Sequence, residues 1–471
     1  MAWSSDVKYP DGAAWFAGKR VMVVGMARSG LAAVQLLTQL GAHPIATDSK
    51  TEEQLSENFA QYGRPDCACF FGMDPISLLS QVQAVVISPA VPVDSALVRS
   101  ATAAGIPVIA ELELGYLASN GRITAVTGTN GKTTTVSLLG HILKEAGRTA
   151  IVCGNIGYPI SAAVLEGKPE AELITEVSSF QMETSRAFHP RVGVLLNITP
   201  DHLNRHHDMD TYVRLKYKMF ANQTGQDLAV LNWDDPLCRK AQEHTQARAA
   251  WFSCKEPVAE GAYEAENMLY LAHNGQRQAV CSTKELLIPG RHNVMNALAA
   301  IVAAHALGIA AEAIAAALRT FPGVEHRIEY VTDIGGVRYI NDSKGTNPDS
   351  TMRAVEAMDR PTILLLGGQE KDIPFDEMAD CIVKSSIVRH AVLMGETAKA
   401  IERSLRERAF DAISHAASLE EAVSVAASCA QPGEAVLLSP ACASFDMFKD
   451  YEDRGRQFKR IVQECKENGH E

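Results

Sequence analysis

Residues 122–134 read Arg122-Ile123-Thr124-Ala125-Val126-Thr127-Gly128-Thr129-Asn130-Gly131-Lys132-Thr133-Thr134. A short apolar run enters a glycine-bracketed turn, and a helical pattern begins near Lys132. Glycines let the backbone turn so that several N–H groups converge on one point. The helix N-terminus behind them adds roughly half a positive charge. The junction therefore predicts a phosphate loop, in which Lys132 reaches the outer phosphates of a nucleotide and the Thr133 hydroxyl serves Mg2+. The standard spacing wants a glycine where Val126 stands, so the loop is a variant. Switches, motors, kinases and ligases all use such a loop, so it does not name a reaction.

Outward from the loop, apolar runs alternate with helical patterns. Val21–Val24 leads through Gly25-Met26-Ala27-Arg28-Ser29-Gly30 into a helical pattern over Leu31, Val34, Leu37 and Leu40, followed by strand-like runs at 44–48 and 84–88. Further runs follow the phosphate loop at 173–177, 192–196 and 228–231, and others lie at 338–342, 362–367, 390–394 and 435–438. Short, wholly apolar strands separated by helices are the pattern of parallel sheets covered on both faces. The fold class expected is α/β in three domains. These are a Rossmann-like N-terminal domain over 1–110, a P-loop-type central ATPase domain over 111–322 and a Rossmann-like C-terminal domain over 323–471.

The 471 residues carry a net charge of −12. Such a surface repels nucleic acid and anionic membranes, so neither is an expected partner. The first twenty residues lack the basic head and apolar core of a secretory leader. The longest apolar stretch, Ala299–Leu318, contains His305, Gly308 and Glu312 and reads as two buried helices rather than a membrane span. The ten cysteines lack zinc spacing, and reduced thiols in a cytoplasmic protein are expected.

Glu176, in Glu176-Val177-Ser178-Ser179, ends an apolar run, and strand C-termini are where open α/β sheets bind ligands. A carboxylate there can share a Mg2+ with Thr133 and the nucleotide phosphates. The next strand runs into Asn197-Ile198-Thr199-Pro200-Asp201-His202, with His206 and His207 close behind, and His202 is the best placed for metal or phosphoryl contact. Fourteen residues on, Lys216 reads from spacing alone as a solvent-facing lysine.

Together the phosphate loop, Glu176-Val177-Ser178-Ser179, Asp201-His202 and the Lys216 helix resemble the Mur ligase family, from about residue 19 to 460. These are three-domain enzymes that join amino acids to UDP-linked muramic acid intermediates. Within the family, Asp342-Ser343-Lys344-Gly345-Thr346-Asn347-Pro348, Ser439-Pro440-Ala441-Cys442-Ala443-Ser444-Phe445-Asp446 and Phe448–Gly455 resemble the D-glutamate-adding branch. The Asp-Asn-Pro-Arg motif of the diaminopimelate- or lysine-adding branch is absent, and Asn130 stands where the L-alanine-adding branch typically has His.

The resemblance implies an ATP-dependent ligase adding D-glutamate to UDP-N-acetylmuramoyl-L-alanine through an acyl phosphate, with a sibling ligase using another amino acid as the alternative. It implies ATP contacts at Gly128, Thr129, Asn130, Gly131, Lys132, Thr133, Thr134, Asn293, Asn296, Arg327 and Asp342. Two Mg2+ sites are implied, on Thr133 and Glu176 and on His202 and Lys216, with Lys216 carbamylated. Lys132, His202 and Lys216 are the expected catalytic residues. The UDP-substrate would meet Arg28, Ser29, Asp48, Ser49 and Asn155, and D-glutamate would meet Lys344, Thr346, Lys371, Ser444 and Phe445. The same reading takes the protein as a cytoplasmic monomer. Two classes compete: a nucleotide-dependent regulatory protein, which needs no amino-acid pocket, and an NAD-dependent dehydrogenase on residues 19–50. The dehydrogenase leaves Lys132, Glu176 and His202 unexplained, and Ala27 replaces its middle glycine.

Overall fold

The computed structural model describes residues 10–288, 290–370 and 373–467. It divides into two compact units, Met1–Glu285 with Met295–Arg319, and Leu286–Val294 with Thr320–Glu471.

The first unit carries two sheets. Strands β1 (Arg20–Val24), β2 (His43–Asp48), β3 (Ala68–Phe71), β4 (Ala84–Ile87) and β5 (Val108–Ala110) pair in the order β3-β2-β1-β4-β5. All these pairings are parallel. Val21, Met22, Val23, Val85 and Val86 are buried, as strands covered on both faces require. At the β1 exit the backbone crosses itself: a Cβ on Gly30 would lie 1.7 Å from the Gly25 carbonyl oxygen, so only glycine fits.

The second sheet contains β6 (Ile123–Thr127), β7 (Ala150–Gly154), β8 (Glu172–Glu176), β9 (Val192–Leu195), β10 (Leu228–Asn232), β11 (Arg248–Ser253), β12 (Gly261–Ala265), β13 (Met268–His273) and β14 (Gln276–Ser282). Their order is β14-β13-β12-β11-β10-β9-β6-β8-β7. The sheet is parallel from β7 across to β12, and β13 and β14 add an antiparallel edge. Chain order reverses about β6, which lies between β8 and β9. A crevice at the carboxyl ends of strands flanking such a reversal is where open α/β sheets hold ligands.

In the second unit β15 (Glu329–Ile334), β16 (Val337–Asn341), β17 (Thr362–Gly367), β18 (Val388–Met394), β19 (Ile413–His415) and β20 (Ala435–Leu438) pair as β15-β16-β20-β17-β18-β19, parallel except for β15 on β16. The apolar stretch 299–318 falls on the helices Arg291–Ala306 and Ala311–Thr320. Among the described residues no helix is long and apolar enough to cross a membrane.

Two buried acids follow β5 on the helix Glu111–Ala118. Glu113 accepts backbone bonds from Arg186, Ala187 and Phe188 at 2.8, 2.6 and 3.0 Å. Glu111 accepts from Ser161 N at 2.7 Å, and burial pushes its carboxyl up from 4.5 to about 7. Between those values the folded state holds a proton that the unfolded chain has released, so this group's stability contribution falls as pH rises. A shift of that size is worth ~3 kcal/mol. Relative to the parent, Glu111→Gln is expected to gain stability from pH 5 to pH 8 by up to that amount. Denaturant titrations of both proteins across the window check it; a pH-independent difference counts against the buried acid.

Candidate active site

The loop after β6 is shaped by two left-handed glycines, Gly128 at φ 151° and Gly131 at φ 85°. A Cβ on Gly131 would lie 2.3 Å from Asn296 Oδ1, so the loop has no room for a side chain there. The strand-exit segment after β9 holds the loop from the other side. Thr129 N donates to Asn197 O at 3.0 Å, and Asn130 N donates to Asn197 Oδ1 at 2.9 Å. Lys132 opens the helix Lys132–Glu145 and curls back over the loop, its Nζ donating to Gly128 O at 2.8 Å and Thr129 O at 2.6 Å. The ammonium thus lies over the loop, where an outer phosphate of a nucleotide would meet it.

Glu176 ends β8 beside this loop and is buried. Thr133 Oγ1 donates to Glu176 Oε2 at 2.7 Å, and Asn155 Nδ2 donates to Glu176 Oε1 at 3.1 Å. A hydroxyl and a carboxylate in contact beside a phosphate cradle are the hard oxygen donors that Mg2+ selects. These residues fit a cation shared with nucleotide phosphates.

His202 has φ 55° and ψ 28°, a left-handed conformation uncommon for a non-glycine residue. Its side chain is 47% exposed, 3.4 Å from Asp201 and 4.8 Å from the Phe180 ring centroid. Backbone outliers of this sort cluster at ligand sites, where surrounding contacts hold them. Lys216, by contrast, is only 2% exposed. Its Nζ lies 4.4 Å from the Tyr212 ring centroid. Burial first, and then the charge of Lys132, push its ammonium well below the ordinary lysine range. The solvent-facing reading from spacing is therefore corrected: the lysine is interior and is driven toward a neutral amine. A neutral amine can take up CO2, and the product would bear the carboxylate-like oxygens a second cation needs.

Around β1 lie the residues expected to contact the substrate. Arg28 starts the helix Arg28–Gln39, donates to the Tyr62 hydroxyl and lies 3.5 Å from Gly157 O. Gly157 is two residues from Asn155, so Arg28 and Asn155 approach one side of the unit. Asp48 spends its carboxylate on backbone, accepting from Met26 N at 2.7 Å and Lys50 N at 2.9 Å. That holds the β1 turn, and Ser49 follows it at the end of β2.

In the second unit three motif runs meet on one buried cation. Arg454, fully buried, donates to Ser343 Oγ at 3.0 Å, Ser343 O at 2.8 Å, Cys442 O at 3.2 Å and Ala443 O at 3.4 Å. Burial lowers its guanidinium to about 10. Asp342 accepts from Ser439 Oγ at 2.7 Å and Ile328 N at 3.2 Å, and burial raises its carboxyl to about 7. Lys344 Nζ lies 5.0 Å from the Tyr451 ring centroid. Ser444 is buried, while Phe445 is 67% exposed. Thr346 is half-buried, and Lys371 lies outside the described residues. Among the described residues one His/carboxylate cluster, Glu325, His326 and Glu329, has metal-like spacing. Lys459 donates to both carboxylates, so the cluster is charge-paired as it stands.

Comparison with known proteins decides among nucleotide-loop proteins. Three family profiles match in chain order: "Mur ligase MurD-like, N-terminal domain" over residues 19–110, "Mur ligase middle domain" over 126–304 and "Mur ligase, glutamate ligase domain" over 326–442. Proteins named UDP-N-acetylmuramoylalanine–D-glutamate ligase from Pelotomaculum thermopropionicum and a Thermoanaerobacter species are 44% and 43% identical. The alignments cover 95% of this chain and 98% and 99% of those relatives. The chain belongs to the Mur ligase family. It is accordingly an ATP-dependent ligase forming amide bonds. The crystal structure of a UDP-N-acetylmuramate-alanine ligase from Thermotoga maritima superposes with a TM-score of 0.61 at 20% identity, covering 95% of this chain and all of that one, which supports the fold alone.

Within the first unit the structure brings Gly128–Thr134, Asn296, Glu176 and Asn155 to one place. Arg327, Asp342, Lys344, Thr346, Ser444 and Asn293 belong to the second unit, Asn293 being the third residue of the helix Arg291–Ala306. Sequence reasoning missed Tyr451 as the aromatic neighbour of Lys344 and Arg454 as the buried hub of residues 343, 442 and 443. Their signal was present in the run 448–455, which marked the family branch without assigning either side chain a task.

Proposed function

We propose that this Mur ligase joins D-glutamate to UDP-N-acetylmuramoyl-L-alanine, coupled to conversion of ATP to ADP and phosphate. The observation that carries the reading is near full-length likeness, at 44% identity over 95% of the chain, to a relative bearing that reaction in its name. The placement of Thr133, Glu176 and Lys132 around one loop agrees with it.

The chemistry needs an activated acyl group. A carboxylate oxygen of the UDP-linked substrate attacks the γ-phosphorus, and ADP leaves. The amine of D-glutamate then attacks the acyl carbon, loses a proton and expels phosphate. Loop N–H groups and Lys132 receive the phosphates, Asn130 and Gly131 shape the turn, and Asn296 with Asn293 faces the adenine side. Mg2+ held by Thr133 and Glu176, and a second ion on His202 and carbamylated Lys216, would neutralise charge on the transferring phosphoryl group. Most of the rate then comes from positioning and fixed charge. Arg28 and Ser29 cradle the UDP diphosphate, Asp48 and Ser49 lie toward uridine, and Asn155 lies toward the sugar. Arg327 and Asp342 are the ATP contacts assigned to the C-terminal domain.

For D-glutamate we assign Lys344, Thr346, Lys371 and Ser444, and Tyr451 in place of Phe445 as the aromatic wall, because Lys344 is 5.0 Å from the Tyr451 ring. The domain boundaries near 110 and 322 belong to this proposal, supported by three separate sheets. So does a cytoplasmic, monomeric enzyme, in which one chain carries every motif the reaction needs.

The test is direct. Purified protein with ATP, Mg2+ and UDP-N-acetylmuramoyl-L-alanine is offered D-glutamate, L-lysine, diaminopimelate or glycine separately. Phosphate release and product mass are expected with D-glutamate alone; turnover with another amino acid moves the chain to a sibling activity. Lys344→Ala is expected to raise the D-glutamate KM tenfold or more, a loss of ~1.4 kcal/mol, with the ATP KM little changed. An unchanged D-glutamate KM removes Lys344 from the pocket.

A further inference from the structure

Glu183 is the last residue of the short helix Ser179–Glu183, and its carboxylate is 7% exposed. It serves two neighbours. Arg205 grips it with two donors, Nη2 to Oε2 at 2.6 Å and Nε to Oε1 at 3.3 Å. The same Arg205 Nη2 donates to Val91 O at 3.0 Å, in the segment that follows β4. The other neighbour is His206, whose Nδ1 lies 3.4 Å from Glu183 Oε1 and whose Nε2 lies 2.9 Å from Ser179 Oγ. The imidazole is buried. With a carboxylate on the Nδ1 side and a hydroxyl on the Nε2 side, Nδ1–H can donate to Glu183 while Nε2 accepts from Ser179. Lys218 Nζ fixes the end of the helix, donating to Met182 O at 2.8 Å and Glu183 O at 3.3 Å.

These bonds join parts of the site that the sequence separates. His206 packs on Tyr212 with ring centroids 5.5 Å apart, and the Tyr212 hydroxyl is 3.2 Å from Thr129 Oγ1 in the phosphate loop. His206 N donates to His202 O at 3.0 Å, so His202 and His206 bracket one helical turn. Phe180 packs against His202 and His206 at 4.8 and 5.2 Å, and Arg205 lies 4.7 Å above it. A continuous path therefore runs from the phosphate loop, through His206 and Glu183, to the loop after β4.

We propose that Glu183 is a positioning residue: its carboxylate clamps Arg205 onto the β4 loop and His206 onto Ser179, and so sets the UDP-substrate loop and His202 in register with the phosphate loop. The UDP-substrate loop here is the β4 exit, which adjoins the β1 turn through Ser88 N donating to Val24 O at 3.0 Å, and the inference rests on the proposed placement of the UDP-linked substrate at that turn. Glu183 touches no reactant; it acts through Arg205 and His206. A bidentate carboxylate–guanidinium pair suits the task because it fixes angle as well as distance, and small misplacements remote from the chemistry can cost ~100-fold in rate.

Two variants test it. Glu183→Gln keeps the shape but places an N–H₂ group against Arg205 or His206. Its kcat is expected to fall about tenfold or more and its KM for UDP-N-acetylmuramoyl-L-alanine to rise about fivefold, with the ATP KM within about twofold. Arg205→Lys loses the two-pronged grip and is expected to raise the UDP-substrate KM with a smaller loss of kcat. A merely structural role would lower melting temperature or active fraction and leave both KM values alone. If both variants keep parental KM values and parental kcat per folded enzyme, the proposal is overturned. Should Glu183→Gln not fold, Arg205→Lys decides: a selective rise in UDP-substrate KM supports the clamp and parental constants overturn it. Parental enzyme inert toward the UDP-substrate and D-glutamate would fault the functional reading instead. Calorimetric binding of the UDP-substrate to parent and Arg205→Lys then decides the clamp, weaker binding by the variant supporting it and equal or absent binding overturning it.

Discussion

Lys132→Ala is expected to lower phosphate release by about 10³-fold or more at saturating substrates, because the side chain supplies fixed charge at the phosphoryl group being transferred. In the structure Lys132 Nζ already bridges Gly128 O and Thr129 O, so the ammonium is preorganised over the loop. Preorganised charge needs no rearrangement as the transition state forms, which is why its loss shows in kcat as well as in the ATP KM. Removing it also withdraws a donor from two loop carbonyls, so Lys132→Met, which keeps much of the stem, controls for loop collapse. Both variants are expected to fail alike. Calorimetric binding of the UDP-substrate, whose proposed contacts are Arg28 and Asn155, is expected to be preserved. Phosphate release within about tenfold of the parent would remove Lys132 from the transfer step.

Strand exits were legible in the sequence because buried parallel strands announce themselves as short apolar runs. Glu176, Asp201 and the phosphate loop could be placed at β8, β9 and β6 before any coordinates. The burial of Lys216 was legible only in retrospect. Tyr212, Lys216 and Phe220 are spaced by four, so they share one face, and that face is buried. A lysine at an apolar position of an amphipathic stretch was the signal, overridden by the rule that lysines are exposed. Asp48 shows a second limit: its oxygens accept from Met26 and Lys50 N–H groups, a structural task that its place at a strand end did not announce. Nothing in local pattern reports which polar groups a turn will need to satisfy.

The Glu183–Arg205 pair and the Arg454 staple lie beyond sequence pattern for a related reason. Glu183 and Arg205 are separated by β9, and Arg454 reaches carbonyls at 442 and 443 and the backbone at 343. Helical and strand periods describe neighbours within an element. They carry no information on which loops meet once sheets have formed. The buried charge of Arg454 also looks costly in isolation, and it is tolerated because four acceptors converge on it.

Lys216 makes the second large prediction, and its sign follows from its neighbours. A carbamate forms when the neutral amine nitrogen attacks CO2 and releases a proton, so it requires an amine that is already deprotonated. Burial and Lys132 both push Lys216 that way, while Asp201 opposes. Once formed, the anion reverses the interaction with Lys132 from repulsion to attraction. A second Mg2+, in the site proposed on His202 and carbamylated Lys216, would offset the repulsion between the carbamate and Asp201. Parental enzyme stripped of CO2 under inert gas is therefore expected to lose most of its activity and to regain it on addition of bicarbonate. The loss is expected to deepen as pH falls, because protonation of the amine competes with carbamate formation. Lys216→Ala is expected to fall about 10²–10³-fold, the scale for loss of one transition-state charge stabiliser, and to be indifferent to bicarbonate. The intact mass of the active parent should include one added CO2. Full activity in CO2-free buffer, together with an unmodified mass, would leave Lys216 a buried amine and require another group to complete the second cation site.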